Sequence, residues 1–206
     1  AKEELSKTMA SLEEGFTKIF EQLPDKPVAI SFAFPGPADS PNGIIYGYLP
    51  TFPTFRDGVA LKAFLENKFG VPVYINNDGD LYAYGEALAG VRPEINARLA
   101  KAGSVKRYKN LIGYTFGTGF GIGVVIDGKS NLGDNSCIET FCLRNKLNPN
   151  LIAEEGVAQR AIQRVYKELS GVDDPMPTPK EICNIAAGVT DGDREAARRS
   201  FEEFGE

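Results

Sequence analysis

The sequence predicts an α/β protein, and three observations carry the prediction. Up to residue 90, amphipathic stretches alternate with short β-rich runs in the order helix, strand, helix, strand, helix, the pattern of an α/β domain. The two β-rich runs are short and end at turn residues, as buried strands do. Beyond residue 110 a glycine-rich segment sits between two further β runs.

Each element follows from its residues. From residue 3 to 23 apolar side chains fall at Leu5, Met9, Leu12, Phe16, Ile19, Phe20 and Leu23, a spacing of three and four that gives a helix one apolar face. That face serves a core or a partner equally, and Pro24 ends the helix. Val28 to Phe34 reads as a strand that runs into Pro35-Gly36-Pro37. A Pro/Gly-punctuated loop continues to about Phe55, and Asp57 is placed to cap a helix carrying Val59, Leu61, Phe64, Leu65 and Phe69. Gly70 ends it. Val71 to Asn76 is the second strand, and a helix with Leu81, Tyr84 and Leu88 follows, closing at Gly90. Arg92 to Lys109 reads as a helix plus a charged surface connection, with a domain boundary near residue 110. Leu111 to Phe116 and Ile122 to Asp127 are strands about a glycine turn, and Asp127-Gly128 makes the next turn. Residues 128–150 carry little periodicity. Ile152 to Leu169 reads as one helix, Thr178-Pro179-Lys180-Glu181 as a capping box, and Arg194 to Phe204 as a last helix.

Composition narrows the chemistry. The 206 residues carry 23 Lys plus Arg against 28 Asp plus Glu, a formal charge of −5. That balance argues against non-specific nucleic-acid binding, which needs surplus cation. No apolar run approaches the roughly 20 residues of a membrane span, and the opening AKEELSKTMA is charged, unlike a signal peptide. Histidine is absent, which removes Ser-His-Asp triads, Cys-His pairs and His-ligated metals. Proton transfer near neutral pH then falls to carboxylates, Lys, Tyr or Cys. The three cysteines, Cys137, Cys142 and Cys183, make no disulfide framework, so a reducing, cytoplasmic setting is expected.

Three segments are placed to carry chemistry. Gly117-Thr118-Gly119-Phe120-Gly121-Ile122-Gly123 has glycine at alternate positions. Such a turn reaches positive φ and lets a ligand approach closely, and successive N–H groups can cradle an anion. No Lys-Ser/Thr pair follows, and a strand rather than a helix comes next, so it is neither a Walker loop nor a dinucleotide fingerprint. The same pattern also serves a merely tight hairpin. Asn76-Asn77-Asp78-Gly79-Asp80 joins a strand to a helix, where a carboxylate faces the usual ligand crevice of an α/β sheet. Asp78 there can take a proton from an alcohol and Asn77 can bond a neighbouring hydroxyl; equally, Asp78 or Asp80 can cap the helix. Phe34-Pro35-Gly36-Pro37-Ala38-Asp39 lines a pocket or makes a rigid turn.

Taken in order, these segments resemble the ROK family, the sugar kinases and sugar-responsive repressors of the actin-like ATPase superfamily. Ala29 to Asp39 looks like the family's glycine-proline strand and loop, Phe64 to Glu86 like its Asn-Asp segment, and Leu111 to Gly128 like its second phosphate hairpin. The resemblance covers residues 28–135 most closely. It implies an actin-like ATPase (ribonuclease H-like) two-lobed α/β fold, incomplete at both ends. Residues 1–110 would belong to the small N-terminal lobe and residues 111–206 to the large lobe. By resemblance Asp78 is the catalytic base of a glucokinase-like phosphotransferase acting on a hexose hydroxyl. Asn77, Gly36 and Pro37 would lie at the sugar, and Gly117, Thr118, Gly119 and Gly121 at the ATP phosphates. The implied cofactors are ATP and Mg²⁺, and the implied partners a small-molecule sugar and ATP; a homodimer is the family's usual assembly. Phosphoryl transfer asks for positioning and charge stabilisation, so the absence of His is compatible with it.

The sequence also departs from the family. No Asp-x-Gly-Gly-Thr strand precedes the first helix, and no further adenosine segment follows, so the chain reads as a central piece of a longer protein. Asp134 to Cys142 stands where the family carries Gly-Glu-x-Gly-His and a cysteine-rich zinc motif. The His is missing and Cys137 and Cys142 lack the zinc spacing, so a structural zinc is not expected. Glu139 is the candidate for the sugar-binding Glu. Glu154 or Glu155 would add a later sugar contact or simply charge the first turn of a helix. The same losses motivate an alternative, a sugar-sensing transcriptional regulator or catalytically silent ROK protein; the plainest reading is an α/β binding domain without chemistry.

Overall fold

Helix α1 spans Lys2–Gln22, and Leu5, Met9, Leu12, Phe16 and Phe20 of its apolar face pack onto a buried core. Ile19 and Leu23 stay outside it, about half exposed. The computed structural model describes residues 2–36, 38–47, 49, 52–133, 143–173 and 175–205. It groups the chain into two compact units, Ala1–Gly113 with Gly123–Ile138 and Tyr114–Ile122 with Glu139–Glu206.

In the first unit, β1 (Ile30–Ala33) pairs in parallel with β5 (Val73–Asn76), Ile30 opposite Val73 and Ala33 opposite Asn76. Parallel pairing requires a crossover, and the intervening chain supplies more than the long loop expected from its prolines. It forms a small antiparallel sheet of β2 (Ala38–Asp39), β3 (Ile44–Ile45) and β4 (Val59–Ala60). Two-residue strands carry no readable alternation, so the sequence hides them. A 3₁₀ turn at Pro53–Phe55 buries Phe55 completely, and the Phe34, Phe52 and Phe55 rings cluster with centroids 5.0–5.7 Å apart.

Helix α2 (Leu61–Phe69) starts after Ala60 with no side-chain cap. Asp57 is therefore not its cap, because Val59 and Ala60 are held in the β3–β4 ladder. At its end Gly70 adopts φ 64°, the left-handed stop that glycine takes at little cost. The chain continues through α3 (Asp78–Leu88) and α4 (Val91–Lys101). Strands β6 (Leu111–Phe116), β7 (Phe120–Ile126) and β8 (Lys129–Ser130) form the third sheet, in that order. Asp127 and Gly128 turn β7 into β8 with φ 49° and 77°, as a type I′ hairpin requires.

In the second unit the expected single helix from Ile152 is two: α5 (Glu154–Val157) and α6 (Gln159–Ser170), separated at Ala158 by an extended ψ of 161°. Helix α7 (Pro179–Ala187) carries the expected capping box, with Thr178 and Glu181 satisfying each other's backbone N–H groups. With α8 (Arg194–Gly205) it closes a helical core around Ile162, Tyr166, Ile182, Ile185, Ala196 and Ala197. Among the described residues no helix is long and apolar enough to cross a membrane.

Candidate active site

In the first unit, the candidate residues gather at the carboxyl ends of the two parallel strands. The N–H of Phe34 donates to the carbonyl of Asn76 at 2.9 Å, so the loop through Gly36 leaves β1 beside the Asn-Asp segment that leaves β5. Gly36 is indispensable to that loop for two reasons. Its φ is +87°, and a Cβ there would stand 1.8 Å from Leu49 Cδ2. Its neighbour Pro37 lies outside the described residues.

The start of α3 resolves who caps the helix. Asn77 has extended backbone, and its side-chain oxygen accepts from Gly79 N at 2.7 Å and Asp80 N at 3.4 Å. Asn77 is the cap, so its carbonyl oxygen is committed and its amide NH₂ is the group left to donate to a hydroxyl. Asp78 is the first helical residue and is exposed; one carboxylate oxygen accepts from Gly79 N at 3.1 Å. Asp80, by contrast, is 1% exposed and belongs to the interior. A pocket of about 340 Å³ adjoins this segment, lined by Ser31, Ser40, Lys62 and Asn76 among other residues. Asn76 links the two, since its side-chain oxygen accepts from Asn77 N at 2.8 Å.

The first turn of α3 lies very close to the sheet. A Cβ at Gly123 would come within 2.6 Å of both Ala83 Cβ and Gly79 O, and one at Gly113 within 2.9 Å of Ala83 Cβ. Of the alternating glycines, Gly123 therefore has a packing role: it lets β7 meet the helix that carries Asn77 and Asp78.

Gly117, Thr118 and Gly119 belong to the second unit and form the turn between β6 and β7. None of Gly117, Gly119, Gly121 and Gly123 has a positive φ. The turn is instead closed by Gly117 N donating to Gly119 O at 3.0 Å, so glycine here supplies room rather than handedness. Gly117 and Thr118 are exposed, and a Cβ at Gly117 would meet nothing within 4 Å. The N–H groups of Thr118 and Gly119 have no protein acceptor among the described residues. Gly121 lies within β7.

The sequence pattern does not reveal what holds this turn. Gln159 N donates to Gly117 O at 2.8 Å, and Arg160 Nη1 to Thr118 O at 3.1 Å. Phe120 N donates to Glu154 Oε2 at 2.8 Å. Arg160 Nη2 reaches Glu154 Oε1 at 2.6 Å and Glu155 Oε1 at 2.7 Å. The hydrogen bond from Arg160 holds the Glu155 carboxyl below the usual carboxylate range. The bonds to Glu155, then Glu154, keep the guanidinium protonated beyond its ordinary range. Neither carboxylate merely charges a helix turn. The one signal for this break was Gly156 inside an otherwise helical pattern.

Glu139, Cys137 and Cys142 lie outside the described residues. Among the described residues no three acidic or cysteine side chains converge as a metal site.

A parallel strand pair with loops at its carboxyl ends, followed by a glycine hairpin, defines a mixed α/β chain of the actin-like ATPase fold. A model of the ROK family matches residues 1–139, and the chain belongs to that family. It is 62% identical to a glucokinase from Parabacteroides distasonis, whose crystal structure superposes with a TM-score of 0.87 over 98% of this chain and 57% of that one. A ROK hexokinase from Thermus thermophilus shares the fold at 20% identity and a TM-score of 0.66, over 97% of this chain and 61% of that one. The xylose repressor of Bacillus spizizenii is 32% identical over 109 residues, 52% of this chain and 24% of the repressor. The chain thus spans little more than half the length of that glucokinase and about a quarter of that repressor.

Proposed function

We propose that the chain is part of an ATP-dependent sugar kinase that phosphorylates a hexose hydroxyl. The observation that carries the reading is the division of labour at α3: Asn77 takes the capping role, so the Asp78 carboxylate stays exposed and available to a substrate. The 62% identity to a glucokinase supports the same reading.

The residues divide the work as follows. Asp78 accepts the proton of the attacking hydroxyl. The Asn77 amide donates to a neighbouring hydroxyl, and the backbone at Gly36 and Pro37 flanks the sugar, with Glu139 as a further contact. The turn at Gly117–Gly119 accommodates phosphate: the N–H groups of Thr118 and Gly119 face no protein acceptor among the described residues, and the Gly117 backbone is open to close approach. ATP supplies the phosphoryl group and Mg²⁺ neutralises its charge. In this reading residues 1–110, with the Asn-Asp segment, belong to the small lobe and residues 111–206, with the glycine-rich phosphate hairpin, to the large lobe.

The test is a coupled ADP-release assay over a panel of hexoses with the full-length protein. Asp78→Asn is expected to cut turnover by about 10²–10⁴-fold, as for a lost general base, with hexose affinity retained. Unchanged turnover removes Asp78 from the chemistry. The similarity to xylose repressors favours a second reading, a sugar-sensing regulator. A basic helix-turn-helix in the same gene product, with hexose binding but no ADP release, would select it.

A further inference from the structure

The hairpin turn is aimed by groups on α5 and α6, and the way it is held has a chemical consequence. In a trans peptide the C=O of one residue and the N–H of the next point to opposite sides. Gln159 N pins the carbonyl of Gly117 at 2.8 Å, so the N–H of Thr118 in the same peptide is turned the other way. Arg160 Nη1 pins the carbonyl of Thr118 at 3.1 Å, so the N–H of Gly119 is turned away as well. Two successive carbonyls fixed on one side leave two successive N–H groups on the other, which is the arrangement of a backbone anion nest. The Phe120 N–H, next in line, is taken by Glu154 Oε2 at 2.8 Å and so is not part of the nest.

Arg160 is itself held by three hydrogen bonds to two carboxylates. Its Nη2 reaches Glu154 and Glu155 at 2.6 and 2.7 Å, and its Nε reaches Glu155 at 3.1 Å. A planar guanidinium fixed by two carboxylates has one fork edge left for the Thr118 carbonyl, a geometry a lysine ammonium does not reproduce. We propose that Arg160, clamped by Glu154 and Glu155, is a positioning residue that shapes the Thr118–Gly119 turn into the binding site for a polyphosphate. The inference rests on the kinase reading of the hairpin and adds to it the residue that sets the turn's geometry. Arg160 acts here through the peptide plane; its charge is already met by the two carboxylates.

The experiment follows the Thr118 and Gly119 amide resonances of the full-length protein, labelled with ¹⁵N-threonine and ¹⁵N-glycine, during titration with inorganic tripolyphosphate. Both amides are expected to shift saturably in the wild type. Arg160→Met is expected to weaken the titration about tenfold to a hundredfold, the worth of a charge-assisted hydrogen bond. Arg160→Lys keeps the charge and loses the fork, and is expected to weaken it nearly as much. Glu155→Gln, which slackens the clamp without removing the guanidinium, gives an intermediate loss and serves if Arg160→Met fails to fold. Unmoved Thr118 and Gly119 amides in the wild type overturn the proposal, as does an Arg160→Lys titration equal to wild type, which would make Arg160 a charge and nothing more. The kinase reading fails separately. If no hexose supports ADP release while tripolyphosphate still moves both amides in an Arg160-dependent way, the nest stands and the kinase does not.

Discussion

Gly123 and Gly117 lie in one motif, and the same substitution at each is expected to do opposite things. A Cβ at Gly123 would sit 2.6 Å from Ala83 Cβ and from Gly79 O, and 2.9 Å from Asp80 Cα. Two of those three neighbours are helix backbone, so relief requires the first turn of α3 to move as a body. Overpacking of this kind costs about 1–3 kcal/mol. Replacing glycine where φ is ordinary returns about 0.4–1 kcal/mol by restricting the unfolded chain, and Gly123 has no positive φ. The net expectation for Gly123→Ala is a loss of up to about 2.6 kcal/mol, in the upper part of that range because two of the three contacts are backbone, and for a protein of this size each kcal/mol lowers the melting temperature by about 2–4 °C. Gly117→Ala meets nothing within 4 Å, so it retains only the entropic gain and melts at or slightly above the wild type. Paired thermal and urea melts read both effects. Because α3 carries Asn77 and Asp78, Gly123→Ala should also depress turnover, while Gly117→Ala should act on ATP affinity. A Gly123→Ala variant as stable as wild type would refute the close approach of β7 and α3 and the packing role assigned to Gly123.

Gly36→Ala forces a side chain into φ +87° and to 1.8 Å from Leu49 Cδ2; it is expected to destabilise by more than the about 1–2 kcal/mol of left-handed strain alone, read as a lower urea midpoint, with weaker hexose affinity because the loop beside Asn76 shifts. Glu155 gives a pH signature. The hydrogen bond from Arg160 lowers its folded pKa below that of an ordinary glutamate, so the pair stabilises the fold at pH above the ordinary glutamate range, and the contribution disappears as pH falls through the lowered pKa. Carboxyl ¹³C titration should place Glu155 below an ordinary glutamate, and Arg160→Gln should raise it, because the hydrogen bond that lowers it is gone. A Glu155 that titrates normally with Arg160 intact would show that the clamp does not form in solution.

Much of the local structure is legible in the residues. The three-and-four spacing of Leu5, Met9, Leu12 and Phe16 dictates α1, Gly70 dictates where α2 stops, Asp127-Gly128 dictates the turn into β8, and Thr178 with Glu181 dictates the start of α7. Each is a short-range effect, fixed by the preferences of a few consecutive residues. The Asn-Asp segment and the glycine hairpin were legible for the same reason.

Tertiary contacts decided the rest. Whether Asn77, Asp78 or Asp80 caps α3 depends on which carboxamide or carboxylate meets the first-turn N–H groups; packing at Gly123 and the burial of Asp80 leave Asn77 as the cap and Asp78 exposed. Whether the alternating glycines turn the chain or make room depended on partners far along it: Ala83 beside Gly123, and Gln159 and Arg160 against Gly117 and Thr118. Sequence periodicity reports the next turn of a helix or the next pair of a strand. It holds no record of a guanidinium 42 residues away, because a contact closed over that distance is chosen by the packing of whole elements.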